Sequence, residues 1–289
     1  MSDSYLKKYR SELDHVIDLY FKEDIGSGDL TSQACLNNTK ISSGKIYSKE
    51  DCMIAGVEFS QYIIKKYDPT LKFESSIKDG QTIESGHCVG ELKGSSVSIL
   101  NLERLLLNCM ARMSAIATHV ATLKKIISHR TCQLLDTRKT TPGFRVAEKW
   151  AVSIGGGLNH RMGLYDAILI KDNHVDLCGG VKKALEKTSK FISNFQSKPT
   201  VIVEARDLYE VIQILDYDFI DRVLLDNFSP NVISHAIKTI DKKHKIEVSG
   251  NINQNNILDY AQEGVDYVSM GSLTHSRPLI DMTLLMEPS

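Results

Sequence analysis

The sequence predicts an α/β protein in which a (β/α) barrel follows a smaller α+β domain, and three observations carry that prediction. From about residue 130 onward, short apolar runs alternate with helical stretches. The carboxyl ends of those runs recur at the spacing of a βα unit, and each run ends in a polar or ionisable side chain or a glycine. A chain of 289 residues, 42% hydrophobic and 25% charged, can bury a large core, which excludes a fibrous or wholly disordered chain. With 35 Lys+Arg against 36 Asp+Glu, the formal charge of −1 argues against a nucleic-acid coat protein. No apolar run approaches the ~18–20 residues that span a bilayer, so no membrane partner is expected.

The amino-terminal stretch Met1-Ser-Asp-Ser-Tyr-Leu-Lys-Lys has no apolar core of a secretory signal, and cytoplasmic localisation is the expectation. Cys35, Cys52, Cys88, Cys109, Cys132 and Cys178 form no Cys-x-x-Cys pair and are expected to be reduced thiols. Residues 4–22 place Leu6, Leu13, Val16, Ile17 and Tyr20 at helical spacing, and Asp24-Ile-Gly-Ser-Gly-Asp ends the pattern. Between 40 and 98 the runs Lys45-Ile-Tyr-Ser, Met53-Ile-Ala-Gly-Val, Leu71-Lys-Phe-Glu and Cys88-Val-Gly-Glu-Leu predict short strands separated by glycine-bearing turns. Ile99 to His129 contains neither Gly nor Pro and predicts one long helix. On it, Arg104, Asn108 and Arg112 fall on one stripe at i, i+4, i+8, which needs polar or anionic partners if the helix is buried; structural ion pairs would serve equally well.

The later strands are expected to end at Arg138, Lys171, Glu204, Asp226, Ser249 and Gly271, spaced by 33, 33, 22, 23 and 22 residues. Near-continuous apolar runs suit a parallel sheet buried on both faces, either a barrel or a doubly wound sheet. The barrel is favoured, because a doubly wound sheet would gather polar residues at one switch point instead of at every strand end. That geometry brings Asp136, Arg138, Lys139, Lys171, Glu204, Asp226 and Ser249 to one mouth. Arginine forks suit carboxylate or phosphate, and Glu204 and Asp226 are hard oxygen ligands fit for Mg²⁺ carried in with a phosphate; salt-bridging to nearby cations is their plainer role. The glycine-bearing turns Ser249-Gly250-Asn251 and Gly271-Ser272 offer backbone amides to a phosphate. Gly155-Gly156-Gly157 follows a helical stretch and not a strand, so it does not fit a dinucleotide fingerprint. The His160-Arg161 pair beyond it is well placed to face an anion.

Specific blocks run in order through nearly the whole chain. They are Glu23-Asp-Ile-Gly-Ser-Gly-Asp-Leu-Thr-Ser, Asn101-Leu-Glu-Arg-Leu-Leu-Leu-Asn, Asp136-Thr-Arg-Lys-Thr-Thr-Pro-Gly and Asn159-His-Arg-Met-Gly-Leu-Tyr-Asp-Ala-Ile-Leu-Ile-Lys-Asp-Asn-His. Val203-Glu-Ala, Leu225-Asp-Asn, Val248-Ser-Gly-Asn-Ile and Met270-Gly-Ser-Leu-Thr-His complete the set. Together they resemble the quinolinate phosphoribosyltransferase family. The resemblance implies an α/β fold with an incomplete barrel of about seven strands and an N-terminal α+β sandwich, in a homodimer or dimer-based higher oligomer with shared active sites. The expected domains are 1–115, joined by 276–289, and 116–275.

The implied reaction is phosphoribosyl transfer from 5-phosphoribosyl 1-pyrophosphate to quinolinate with decarboxylation, yielding nicotinate mononucleotide. The resemblance implies quinolinate contacts at Arg138, His160, Arg161 and Lys171, with Lys139 beside the diphosphate and Arg104 reaching the neighbouring subunit's site. Glu204 and Asp226 would face ribose and Mg²⁺, while Ser249, Gly250, Asn251, Gly271 and Ser272 would hold the 5′-phosphate. Lys139, Lys171, Glu204 and Asp226 are the expected catalytic groups, and Arg112 receives no role. Three other readings stay open on sequence: a Schiff-base barrel using Lys171, a binding protein retaining the scaffold, and a molybdenum-transport-associated paralogue.

Overall fold

A computed structural model describes residues 5–36 and 41–287. Residues 1–4 of the amino-terminal stretch and 288–289 of the expected segment 276–289 lie outside the described residues. The chain divides into two compact units. One comprises 1–121, 140–156 and 273–289, and the other comprises 122–139 and 157–272.

The first unit is built on an antiparallel sheet. Its strands are β1 (Ile41–Ser48), β2 (Cys52–Met53), β3 (Lys72–Glu74), β4 (Thr82–Ile83) and β5 (Cys88–Ser95). Three of these, with a C-terminal strand Met282–Glu287 on the free edge of β1, form one sheet, while β2 and β4 pair separately. Ser42, Gly44, Ile46 and Ser48 alternate inward along β1, the period-two pattern of a sheet with one face packed. The expected N-terminal helix is two helices, Tyr5–Lys8 and Arg10–Asp24.

Met53-Ile-Ala-Gly-Val yields only the two-residue β2 before a helix, Val57–Tyr67, begins. That helix is started from a distance: the Asp79 carboxylate accepts from the Val57 and Glu58 amides at 2.8 and 3.2 Å. No local capping signal announces it.

The long helix is Ser96–Ile126. Leu102, Leu106, Met110, Met113, Ile116, Ala117 and Val120 are fully buried along it, and Ser114 receives the Ala55 amide at 3.0 Å. The helix Arg145–Ile154, expected in the barrel domain, belongs to the first unit. Trp150 stacks on Tyr5 with ring centroids 5.5 Å apart, and Glu148 pairs with Arg112 at 2.9 Å. Gly155 ends that helix against the long one, where a Cβ would meet the Ala117 carbonyl at 2.6 Å. Gly155 therefore serves close packing.

The second unit holds β6 (Gln133–Leu135), β7 (Ile168–Ile170), β8 (Val201–Ala205), β9 (Arg222–Asp226), β10 (Lys245–Ser249) and β11 (Tyr267–Ser269); the C-terminal strand above is β12. All six pair in parallel, in the order β6-β11-β10-β9-β8-β7. From β7 to β11 consecutive strands are neighbours, and β6 pairs with the last of them, so there is no switch point and the doubly wound alternative falls. Leu158 adds a parallel bridge on the free side of β6, in the place of a seventh strand. The barrel is open between that bridge and β7. Every residue of β8 is buried, as parallel strands covered on both faces require.

Candidate active site

Register fixes which side chains share a face. Glu204 of β8 lies opposite Leu224 of β9, and Asp226 lies opposite Ser249 of β10. Residues 224 and 226 are two apart, so both carboxylates point to the same side. Lys171, following β7, reaches Glu204 with Nζ 3.4 Å from Oε2. Glu204 is buried whereas Lys171 is nearly half exposed. Burial raises the Glu204 carboxyl above its ordinary value; Lys171 opposes the shift and Asp226 adds to it.

Asp226 is held at both oxygens. The Ser249 hydroxyl donates to Oδ1 at 2.5 Å and the Asn227 amide to Oδ2 at 2.6 Å. Asn227 and Asn251 adopt left-handed φ of 57° and 51°, and Gly250 between β10 and Asn251 has φ 99°. A Cβ on Gly250 would lie 2.2 Å from Asn227 Oδ1 and 2.8 Å from its backbone nitrogen. Only glycine fits there. Gly271 and Ser272 open a short 3-10 turn immediately beyond β11.

The His160-Arg161 loop is built on carboxylates that the sequence reading left without a role there. Asp136, fully buried after β6, accepts from Asn159 Nδ2 at 2.6 Å and the His160 amide at 2.8 Å. Asp166 accepts from the Met162 and Gly163 amides at 2.7 and 3.0 Å. His160 turns its ring inward: Nδ1 accepts the Arg161 amide at 2.7 Å, and Nε2 lies 3.6 Å from Glu247 Oε2. His160, expected as a direct substrate contact, has both ring nitrogens facing protein groups and holds the Arg161 amide.

Arg161 donates through Nη1 to the Ala167 carbonyl at 3.0 Å, while its buried Nε has no acceptor. Burial lowers its pKa, and the neighbouring Arg138 lowers it further. Arg138 and Lys139 are exposed on the loop after β6. Two guanidinium groups in mutual repulsion, one with an orphaned buried donor, form a site that an anion would complete.

The unit thus brings Arg138, Arg161, Lys171, Glu204, Asp226, Ser249, Gly250 and Asn251 onto the ends of parallel strands or the loops beyond them. Among the described residues no group of three or more His, Cys, Asp or Glu side chains could hold a metal ion. Glu204 and Asp226 fit Mg²⁺ only in the way Mg²⁺ prefers, with one or two carboxylates and the remaining positions filled by water and phosphate.

The arginine stripe on the long helix separates into two fates. Arg104 and Asn108 are exposed on the largely buried helix. Arg112 is half-buried and paired with Glu148, the structural alternative.

Two family profiles cover the chain: "Quinolinate phosphoribosyl transferase, N-terminal domain" over residues 29–114 and its C-terminal domain over 116–285. A Nicotiana glauca protein named quinolinate phosphoribosyltransferase [decarboxylating] 1 is 38% identical over 96% of this chain and 83% of its own. A probable nicotinate-nucleotide pyrophosphorylase [carboxylating] of Bacillus subtilis is 34% identical over 94% and 93%. The solved nicotinate-nucleotide pyrophosphorylase of Francisella tularensis superposes with a TM-score of 0.89 at 37% identity, covering 99% of this chain and 100% of its own.

Proposed function

The chain belongs to the quinolinate phosphoribosyltransferase family, and on that premise we propose that it transfers a phosphoribosyl group to quinolinate with loss of CO₂, in NAD biosynthesis. The observation that carries this reading is the Arg138–Arg161 pair with its orphaned buried donor. Quinolinate brings two carboxylates and 5-phosphoribosyl 1-pyrophosphate several phosphate charges, and apposing them is costly unless cations are already in place.

Arg138, Arg161 and Lys171 bind the quinolinate carboxylates, with His160 holding the Arg161 backbone. Lys139 stands beside the diphosphate. Ser249, Gly250, Asn251, Gly271 and Ser272 receive the 5′-phosphate through amides and hydroxyls. Glu204 and Asp226 face the ribose and would hold Mg²⁺ largely through water and substrate. When bound, the ion supplies charge neutralisation at the diphosphate.

The pyridine nitrogen attacks ribose C1 as the bond to pyrophosphate breaks. The positive charge of the quaternised nitrogen then stabilises the electron pair left on C2 as the bond to the C2 carboxylate breaks. CO₂ departs and a proton replaces it at C2, giving nicotinate mononucleotide. Positioning and electrostatics suffice, with no covalent enzyme intermediate.

We also propose a homodimer in which Arg104 completes the partner's site. Arg104 is exposed and makes no ion pair with the described residues. An open groove of about 520 Å³ along β7, lined by Leu164, Ile168, Ile170 and Phe191, supports an associating surface, and Leu164 is 70% exposed there. Six free cysteines support a reducing compartment such as the cytoplasm. Among the described residues no helix is long and apolar enough to cross a membrane.

The test is incubation with quinolinate labelled in its C2 carboxylate, 5-phosphoribosyl 1-pyrophosphate and Mg²⁺. Labelled CO₂ with nicotinate mononucleotide is expected, and tight quinolinate binding without turnover would sink the reading. For the dimer, mixing inactive Arg104→Ala and Lys171→Ala chains should restore up to roughly a quarter of wild-type turnover. No recovery despite demonstrated subunit exchange would refute shared sites.

A further inference from the structure

Three separate stretches of chain in the first unit meet at one buried ion pair. The fully buried Glu148 carboxylate accepts four donors: Arg112 Nε and Nη2, each 2.9 Å from Oε1, the Thr141 hydroxyl at 2.9 Å, and the Thr141 amide on Oε2 at 3.0 Å. The same guanidinium donates through Nη1 to the Arg277 carbonyl at 3.2 Å and through Nη2 to the Thr274 carbonyl. The long helix, the Thr140–Gly156 segment and the C-terminal segment from Leu273 are tied by one fork.

Where those stretches begin gives the cluster its meaning. The chain leaves the barrel unit after Lys139 and again after Ser272. Thr141 and Thr274 are each two residues beyond those exits. Both loops end in residues to which the proposed function gives the same substrate: Lys139 beside the diphosphate and Ser272 at the 5′-phosphate. A planar guanidinium can grip a carboxylate and two carbonyls at fixed angles, which a point-charge ammonium cannot.

We propose that Arg112 and Glu148 are positioning residues for the phosphoribosyl donor, anchoring the far ends of the Lys139 and Ser272 loops; this rests on the roles proposed above for those two residues. Neither touches substrate. A displacement of about 1 Å in a positioned loop is enough to weaken productive binding strongly.

The test uses the full chain with Arg112→Lys, Thr141→Val and Thr141→Ser, measuring kcat, KM for each substrate and the melting temperature. Arg112→Lys keeps the charge and loses the fork. Thr141→Val keeps shape and loses one donor to Glu148, and Thr141→Ser restores it. Arg112→Lys and Thr141→Val are expected to raise KM for 5-phosphoribosyl 1-pyrophosphate about fivefold to tenfold. KM for quinolinate should rise less, since of its contacts only Arg138 lies on an anchored loop, and Thr141→Ser should stay near wild type. An equal rise in both KM values, or a fall in kcat that only follows the folded fraction, would overturn the proposal. Should Arg112→Lys fail to fold, the Thr141 pair decides. Lys139→Ala separates the premise from the inference. If it raises the donor KM while Thr141→Val does not, the anchoring fails alone. If Lys139→Ala leaves the donor KM unchanged, the site reading fails with it.

Discussion

Glu148 and Glu204 are both buried carboxylates beside a cation, yet they are built for opposite ends. Glu148 receives four donors within 3.0 Å and has no more to accept. Glu204 faces one lysine at 3.4 Å and the Asp172 backbone amide, with Asp226 close enough to raise its pKa further. A saturated charge holds protein to protein, whereas a charge left short of partners is held ready for something that arrives.

The largest expected effect falls on the saturated pair. Glu148→Ala leaves the Arg112 guanidinium without its carboxylate and should cost about 3–5 kcal/mol of stability. Chemical denaturation measures it, and a loss under about 1 kcal/mol would break the contrast. Next, Lys171→Ala should lower turnover at least ~100-fold, about 2.7 kcal/mol, with the melting temperature nearly unchanged. The same holds for Arg138→Ala. Near-wild-type rates, or loss of the fold in either variant, would move these residues into the structural class.

Gly250→Ala tests whether the mouth's backbone is as fixed as its charges are open. Left-handed φ and the close approach of Asn227 predict a destabilisation of about 1–3 kcal/mol with a raised KM for the phosphoribosyl donor. An alanine variant as stable and active as wild type would mean the turn relaxes freely.

The smallest effect is a pH dependence in the first unit. Burial, aided by Arg277, lowers the His119 imidazole to about 4 from its ordinary 6.5. The neutral ring is therefore favoured by folding. That contribution is complete above pH 6.5, declines as the pH falls toward about 4, and is on the order of 1 kcal/mol. Melting temperature followed across that window should drop less in His119→Gln than in wild type, and parallel curves would refute it.

The barrel was largely legible, because an apolar run ending in a charge is a local pattern and its recurrence is countable. Lys171, Glu204 and Asp226 follow directly. What was hidden depends on partners far along the chain. The placement of residues 145–154 in the first unit rests on Trp150 meeting Tyr5 and on Glu148 meeting Arg112, 36 residues away. The helix at Val57 needs Asp79, and the inward turn of His160 needs Glu247. Asp166 had a signal within reach, since a carboxylate a few residues after a Met-Gly pair can cap both amides, but such local caps are common and seldom distinctive.

The C-terminal strand has a consequence in time. Ser43 of β1 pairs with Glu287 of β12, 244 residues away. Closing so long a loop costs entropy before any ladder bond is made, and pairings of this separation slow folding. The N-terminal sheet, though written early in the chain, cannot be completed until nearly all of the barrel has been synthesised. Its β1 edge stays open through that interval, exposed to pairing with other nascent chains.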